Sequence, residues 1–305
     1  MTDMDTKILT SLFIALVSIS CAKAQDSNTP GDDNRKWTEP IRVATYNIQY
    51  DNVKEPDGAW ANRKDITKAM LEKCDFDIFG AQEPYKEQVE DVASWLPEYS
   101  WVGTSVTGEN DVPRRHFNPI FYKTERFEVL DSGSFWYSET PNVANSKSWD
   151  SYSPRMCNWA KFKDRKTGKV FFHFNSHFDH KGVEARRQSA RILLEKVAEI
   201  AGDFPAFCTA DYNSNQNSEV YKTIVTSGLL SDSYSLSFKR ENEKWPTYNG
   251  YKYMSTPPAN ATRIDHIFIT KKDNKVLSWK ILTDTFKFKY PSDHNPVVIE
   301  WSFKK

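Results

Sequence analysis

The chain of 305 residues is long enough for one large domain or two small ones, and its 39% hydrophobic and 14% aromatic residues can fill a sizeable core. This composition excludes an intrinsically disordered chain. Lys plus Arg equal Asp plus Glu at 41 each, whereas proteins that bind long nucleic acids through their phosphates usually carry a basic excess. Any phosphate binding is therefore expected to be local.

The N-terminal segment has the pattern of a secretory signal. Lys7 precedes the apolar run ILTSLFIALVSIS and the small residues CAKAQ, and the run is too short to span a bilayer comfortably. We expect removal of residues 1–24, or processing before Cys21 with that cysteine as a lipid anchor. Either route places the protein outside the cytoplasm, as a periplasmic, secreted or outer-membrane protein. Residues 25–38 are then a flexible tether and residues 39–305 a single catalytic domain.

The chain after this leader first alternates between strands and helices. The predicted strands are IRVATYNI and DIFGAQ, and the predicted helices are NRKDITKAMLEK and YKEQVEDVASWL. This alternation is typical of a layered α/β domain. Four strand-like runs follow and are expected to pair antiparallel, the last two through the turn DRKTG: NPIFYK, RFEVLDSGSFWYS, MCNWAKFKD and KVFFHFNSH.

The remaining chain mixes helices and strands again. VEARRQSARILLEKVAEIAG predicts a long helix with Leu193, Val197 and Ile200 on one stripe. After it we predict, in order, the strand PAFCTAD, a helix around SEVYKTIVTSG, and the strands RIDHIFIT and NPVVIEW. Together these elements predict two mixed or antiparallel sheets with helices outside them.

The cysteines left after the leader are not expected to form a disulfide framework. Cys74, Cys157 and Cys208 lie in apolar or strand-like runs, and the chain contains no CxxC pair that would bind a metal. We therefore predict three buried free thiols.

Polar side chains occur repeatedly where the apolar strands end or begin. Six such places carry carboxylate, amide or imidazole groups: Asn47; Glu83; His177; Asp211 with Asn213; Asp265; and Asp293 with His294. Ligands gather in the crevice at strand ends of α/β sheets. The recurrence at six places therefore predicts a functional site.

The chemistry of these groups suits phosphate esters. Glu83 and Asn47 offer hard oxygen ligands for Mg²⁺ or Mn²⁺. Asp211 and Asn213 are two residues apart, so in an extended segment an acid that activates water and an amide that donates to a phosphate oxygen face the same way. His294 is available as a histidine held by a carboxylate partner, Asp265.

In this order, the motifs YNIQYDN, GAQEP, NSHFDH, TADYNSN, RIDHIFI and SDHNPVVIEW resemble the endonuclease/exonuclease/phosphatase superfamily, with its deoxyribonuclease I-like fold, in a secreted bacterial form. The resemblance covers essentially everything after residue 40. It implies an α/β (α+β) fold, a four-layer α-β-β-α sandwich of two mixed, mainly antiparallel sheets with outer helices. It also implies Mg²⁺-dependent hydrolysis of phosphoester bonds.

The resemblance implies a role for each matching residue. Asn47, Glu83 and Asp293 look like the metal end, with Glu83 the principal ligand. His177 is similar to a phosphate-contacting or leaving-group histidine. Asp211 looks like the acid that positions the attacking water, and Asn213 like the amide that stabilises the oxyanion. Asp265 resembles the carboxylate that orients the last histidine. His294 resembles that histidine, the general base or transition-state partner.

We therefore expect hydrolysis of a phosphodiester, in a nucleic acid, a nucleotide or a lipid headgroup, by in-line attack of water activated by His294 and Asp211. One alternative is a phosphomonoesterase acting on inositol phosphate-like substrates. A second alternative is a non-catalytic surface binding protein on the same scaffold. No obligate protein partner is expected.

Other residues have weaker patterns. HFNSHFDH superficially resembles a zinc signature of metallo-β-lactamase-like hydrolases, but its first gap is three residues instead of one. His116, His173 and His266 are predicted to be structural or rim residues. Loop packing is the expected role of Trp245, Tyr248 and Tyr251. One of four arginines could contact the phosphate: Arg114, Arg115, Arg186 or Arg187.

Overall fold

The computed structural model describes residues 37–271 and 274–305. The first part of the fold contains strands β1 to β6 and two helices. In chain order these are β1 (Ile41–Asn47), α1 (Trp60–Cys74), β2 (Ile78–Gln82), α2 (Lys86–Trp95), β3 (Tyr99–Val102), β4 (Ile120–Lys123), β5 (Phe127–Trp136) and β6 (Met156–Asp164).

The second part contains the remaining strands and helices of the described residues. In chain order these are β7 (Val170–His177), α3 (Val183–Ala201), β8 (Ala206–Asp211), α4 (Glu219–Thr226), β9 (Leu230–Asp232), α5 (Ser233–Leu236), β10 (Lys239–Glu241), β11 (Asp265–Thr270), β12 (Asn274–Ile281) and β13 (Val297–Phe303). Every predicted strand and helix is present. The sequence patterns missed β3, β9, β10, β12 and α5.

The strands form two mixed, mainly antiparallel sheets, as predicted. The seven-stranded sheet has the order β10-β12-β13-β1-β2-β4-β3, and its parallel pairs are β1 with β2 and β10 with β12. The six-stranded sheet has the order β5-β6-β7-β8-β11-β9, in which β7 and β8 are parallel. The long helix α3 makes the crossover between these two parallel strands.

Three apolar clusters hold four layers together. The central cluster lies between the two sheets and includes Ile41 of one sheet and Phe171 of the other. Helices α1 and α2 cover the outer face of the seven-stranded sheet through residues such as Met70. Helices α3 and α4 cover the six-stranded sheet through Leu193 and Ile224. The predicted four-layer α-β-β-α sandwich is confirmed.

A polar network lies inside the central layer, under the strand ends. The Gln82 side-chain amide donates to Asn175 Oδ1 at 2.7 Å, and the Thr209 hydroxyl donates to the same oxygen at 3.0 Å. Asn175 in turn donates to the carbonyl of Ala81 at 2.8 Å. Gly80 leaves the space for this network, because a Cβ at this position would overlap Asn175 Oδ1 and Thr209 Oγ1.

The predictions for the cysteines and the leader have different outcomes. Cys74, Cys157 and Cys208 are buried free thiols, as predicted, and burial raises the pKa of each one. The predicted signal and nearly all of the predicted tether lie outside the described residues. Within residues 37–271 and 274–305, no helix has the length and apolar character needed to cross a membrane.

We expect Gly80→Ala to destabilise the protein by about 3 kcal/mol, because the added methyl group forces Asn175 and Thr209 apart in a tightly packed interior. Urea unfolding measures this loss. The matched test repeats the substitution in an Asn175→Ala background, where the cost should be clearly smaller since one of the two overlaps is gone. An equal cost in both backgrounds would contradict the close approach of the sheets at Gly80.

Candidate active site

Strand direction brings the predicted residues of the seven-stranded sheet to one edge. β1 and β2 are parallel, so Asn47 at the end of β1 and Glu83 just after β2 are neighbours. β13 runs antiparallel to β1, so Asp293 and His294, which precede β13, lie at the same edge.

The six-stranded sheet contributes the other half of the site in the same way. β7 and β8 are parallel and pair His177 with Asp211 at their ends. β11 is antiparallel to β8 and begins with Asp265 directly opposite Asp211. The structure therefore brings together residues that are far apart in the sequence, as the strand-end pattern predicted.

Two hydrogen-bonded pairs connect the sheets across this edge. Asn47 Nδ2 donates to Glu83 Oε1 at 3.0 Å and to Asp211 Oδ2 at 3.1 Å. His294 Nδ1 lies 2.9 Å from Asp265 Oδ2, and its Nε2 lies 3.7 Å from Asp211 Oδ2. The predicted pairing of His294 with Asp265 is present in the structure. Asp211 accepts a hydrogen bond in the first connection and lies close to the histidine of the second.

Asn47 holds two acids with its amide nitrogen. Its Oδ1 accepts a hydrogen bond from the backbone N–H of Gln49 at 2.9 Å, so in this arrangement the oxygen is already engaged. That Asn47 also ligates a metal stays a prediction. Its visible role is to fix the separation of Glu83 and Asp211.

Glu83 keeps its carboxylate charged at the cavity. Burial alone would raise its pKa, but His116 and the Asn47 hydrogen bond outweigh burial and lower the pKa. Because burial lowers the pKa of His116 to about 4, that ring is neutral near pH 7, and the Asn47 hydrogen bond and the charges of His294 and Arg155 are the stabilising interactions that persist there. The backbone of Glu83 has a left-handed φ of 75°, which turns the chain sharply after β2.

Asp211 and His294 form a charge-coupled pair. Burial and the neighbouring Asp265 raise the pKa of Asp211 to about 7. Burial opposes the charged form of His294, but Asp265 and Asp211 outweigh it and raise the histidine pKa well above its usual value. The imidazolium and a carboxyl group that titrates near neutral pH therefore lie side by side.

Asn213 reaches the site by a different backbone path from the one predicted. The extended segment expected after Asp211 is wrong, because β8 ends at Asp211 and Asn213 has a left-handed φ of 47°. Its backbone N–H donates to Asp211 Oδ1 at 2.8 Å, and its Nδ2 lies 3.1 Å from His177 Nε2. A tight turn thus places the amide beside the acid and the histidine.

Asp293 borders the same cavity but is held separately. Its Oδ2 accepts a hydrogen bond from Gln49 Nε2 at 3.0 Å. Burial raises its pKa to about 6. Asp293 is outside the two groups of closely spaced possible metal ligands in the described residues, so its predicted contact with a metal stays a prediction.

Two groups of closely spaced acids and histidines at this edge fit a divalent cation. Ligand atoms of Glu83, His177 and Asp211 lie within 4.8 Å of one another, and a second group of this kind combines Asp211, Asp265 and His294. Carboxylate oxygens suit Mg²⁺ or Mn²⁺. Burial and the nearby carboxylate of Asp265 raise the pKa of Asp211, and a bound cation would offset both effects by stabilising the charged carboxylate.

The zinc alternative receives no support from the geometry. His173 is fully buried and bonds to Thr209 at 2.7 Å between Nε2 and Oγ1. Neither His173 nor His180 belongs to a group of possible ligands among the residues that the structure describes. The apparent signature is therefore one strand and one loop with separate contacts.

A cavity of about 930 Å³ opens over these residues. Its wall includes three residues for which the sequence analysis assigned no substrate contact: His116, Arg155 and His180. His116 stacks on His177 with ring centroids 6.5 Å apart. The sequence held a usable signal for Arg155, because it immediately precedes β6, which is antiparallel to β7 and so starts at the edge where β7 ends.

The four arginines considered earlier divide into two pairs. Arg114 and Arg115 line the cavity. Arg186 donates to the Asp179 carbonyl at 2.9 Å, and Arg187 is paired with Glu219 at 2.8 Å, so both have structural partners.

The three aromatic residues predicted to pack in one loop also differ. Trp245 packs against the central apolar cluster, and the Tyr251 hydroxyl donates to Gln49 at 2.6 Å. Tyr248 instead lines the cavity, with its ring centroid 5.2 Å from that of His294.

Comparison with known proteins agrees with this architecture. The model of the Endonuclease/Exonuclease/phosphatase family matches residues 44–294. A protein of that family from Bacteroides thetaiotaomicron is 35% identical, with a TM-score of 0.80 over 88% of this chain and 100% of its own. A family protein from Bacteroides vulgatus is also 35% identical, with a TM-score of 0.79 over 88% and 100%. No curated protein matches the chain.

A further solved relative carries a more specific description. It is the mannosyl-6-phosphatase of Bacteroides thetaiotaomicron VPI-5482, 36% identical with a TM-score of 0.79. The alignment covers 86% of this chain and 100% of that protein.

We expect Mg²⁺ or Mn²⁺ at 100 times its Kd to stabilise the protein by about 2.7 kcal/mol, because the cation binds the folded cluster of acids. Thermal unfolding of EDTA-treated protein should then shift upward by several degrees, and Glu83→Gln should lose this shift. Glu87→Gln makes the same chemical change on the exposed face of α2 and should keep it. An equal shift in both variants would rule out Glu83 as a ligand.

Proposed function

Because the chain belongs to the endonuclease/exonuclease/phosphatase family, whose members hydrolyse phosphoester bonds, we propose that it is a divalent-metal-dependent phosphomonoesterase acting on a small phosphorylated sugar or polyol. The observation that carries the substrate class is the cavity. Its volume of about 930 Å³ is that of a small-molecule site, and the chain has no basic excess for a nucleic-acid strand.

The relative described as a mannosyl-6-phosphatase supports a monoester substrate. A phosphomonoesterase was the alternative expected from the sequence, and we favour it over the phosphodiesterase expected first. Hydrolysis of a diester with small substituents remains the second candidate, since the same water-activating residues would serve it.

The residues divide the work as follows. Asp211, whose Oδ2 lies 3.7 Å from His294 Nε2, accepts a proton from the attacking water. His294, held by Asp265, places positive charge where the phosphoryl oxygens become more negative. Asn213 Nδ2 donates to the Phe178 carbonyl at 3.1 Å and lies 3.1 Å from His177 Nε2, and it would exchange one of these contacts for a hydrogen bond to the same oxygens when the substrate binds.

Glu83 is the proposed principal carboxylate ligand of the cation, with Asp211 and His177 close beside it. When bound, Mg²⁺ or Mn²⁺ offsets the charge of the phosphoryl group. Asn47 keeps the two acids apart at hydrogen-bonding distance from its amide, so the ligands are already arranged before the cation binds.

The place of action is a separate proposal. The pattern of residues 1–24 favours an extracytoplasmic protein, soluble or anchored through Cys21. Small phosphorylated sugars outside the cytoplasm would then be its substrates.

The test of the proposed activity uses residues 25–305, treated with EDTA and supplied with Mg²⁺, Mn²⁺ or Zn²⁺. The substrates are mannose 6-phosphate, an inositol phosphate, bis(p-nitrophenyl) phosphate and plasmid DNA. We expect phosphate release with Mg²⁺ or Mn²⁺, and kcat/KM at least about tenfold higher for the preferred monoester than for the diester. Faster cleavage of the diester or of DNA would favour the second candidate. A folded protein that is inert on all four would favour a binding protein.

Asp265→Asn should lower kcat by about 100-fold with little change in KM, because Asp265 orients and charges His294 without touching the substrate. Steady-state kinetics on the preferred monoester measures both constants. Asp203→Asn, an identical change at an exposed position, should leave both unchanged. A higher KM with normal kcat in Asp265→Asn would place this carboxylate in substrate binding instead.

A further inference from the structure

Arg155 is a buried cation in the wall of the cavity. Only 6% of the residue is exposed. It precedes β6 and belongs to the same cavity wall as Glu83 and Asp211. A guanidinium at this depth needs a stabilising partner, or a ligand that supplies one.

Asp179 is the ionic partner of Arg155, but the pair is loose. Arg155 Nε lies 3.5 Å from Asp179 Oδ2, and no second nitrogen of the guanidinium pairs with this carboxylate among the described contacts. The Asp179 carboxylate accepts most of its hydrogen bonds from other donors. These are the backbone N–H groups of Tyr152, Ser153, Lys181 and Gly182, and the hydroxyl of Ser151. Asp179 therefore connects two loops by hydrogen bonds and contacts the guanidinium of Arg155 only through Nε.

His180 contacts a second nitrogen of the guanidinium. Arg155 Nη2 lies 3.0 Å from His180 Nδ1. A guanidinium has five N–H donors, so three of them make no hydrogen bond within the described residues. They belong to a buried side chain that borders the cavity, where an oxyanion could accept them.

Phosphate is the oxyanion expected in this cavity under the proposed function. The acids Glu83, Asp211 and Asp293 on the cavity wall repel a phosphate dianion, so its binding needs positive charge beyond that of one divalent cation and the His294 imidazolium. Arg114 and Arg115 are exposed at the cavity, whereas Arg155 is buried and held through two of its nitrogens. A planar guanidinium suits two oxygens of one phosphate group.

A monoester differs from a diester in a way that such a group can detect. The monoester has three terminal oxygens and up to two negative charges, whereas the diester has two terminal oxygens and one charge. We propose that Arg155 binds the additional terminal oxygen of a phosphate monoester, that Asp179 and His180 position its guanidinium for this contact, and that Arg155 thereby sets the preference for monoesters. This inference rests on the proposed phosphomonoesterase function.

The first test measures binding without turnover. Inorganic phosphate is titrated by calorimetry into the Mg²⁺-loaded protein of residues 25–305, as wild type and as Arg155→Lys. We expect the affinity for phosphate to fall about 10-fold to 100-fold in the variant. Lysine keeps the positive charge but cannot donate the two parallel hydrogen bonds of a planar guanidinium. Arg126→Lys is the matched control, since Arg126 is also a buried arginine paired with an aspartate, Asp77, but does not line the cavity. A change within twofold in Arg155→Lys would overturn the inference.

The second test compares two substrates on the same variants. Arg155→Lys should lower kcat/KM for p-nitrophenyl phosphate by about 10-fold to 100-fold and that for bis(p-nitrophenyl) phosphate by less than about threefold. Equal losses on both substrates would indicate a merely structural arginine and overturn the inference. A wild type that binds phosphate through Arg155 but releases none from monoesters would contradict the proposed function and leave the binding site established.

His180→Gln provides a variant with little risk to folding, because His180 is exposed. We expect a higher KM for the monoester with nearly unchanged kcat, since the histidine positions Arg155 and does not activate water. An unchanged KM for the monoester would remove His180 from the inferred arrangement.

Discussion

The site depends on how closely the two sheets approach at one edge. Asn47 of one sheet bonds to Asp211 of the other, and His294 bonds to Asp265 across the same boundary. Both contacts require that the sheets keep one fixed offset, because a hydrogen bond tolerates only a few tenths of an ångström. The buried polar network around Asn175 lies directly beneath and helps to fix that offset. An apolar interior alone would leave it less well specified.

This arrangement of buried acids is electrostatically costly. Glu83, Asp211, Asp265 and Asp293 surround one region, and burial, together with the neighbouring carboxylates, raises the pKa values of Asp211 and Asp293. Two residues at the site, Glu83 and Asn213, also have left-handed backbones. Such strain and charge crowding are typical of sites whose geometry serves binding or catalysis. The four packed layers supply the stability that offsets them.

Much of this architecture could be predicted from the sequence. Apolar runs gave the main strands, and the polar residues at their ends identified the groups that meet at the edge. Short strands such as β9 and β10 escaped because three residues carry too little periodicity. The left-handed turn at Asn213 was missed because periodicity does not report φ. Arg155 was missed because a single arginine before a strand resembles an ordinary flanking residue, unlike the carboxylate, amide and imidazole groups that formed the recurring pattern.

The position of β13 in the sheet affects how the chain can fold. This strand comes last along the chain, yet it lies in the interior of the seven-stranded sheet between β12 and β1. Before β13 is available, β1 and β12 each present an unpaired edge, and such edges invite pairing with other chains. Contacts between opposite ends of a long chain also form slowly. A nascent or C-terminally truncated chain therefore faces a period of aggregation risk that ends only when its final segment inserts between strands made long before.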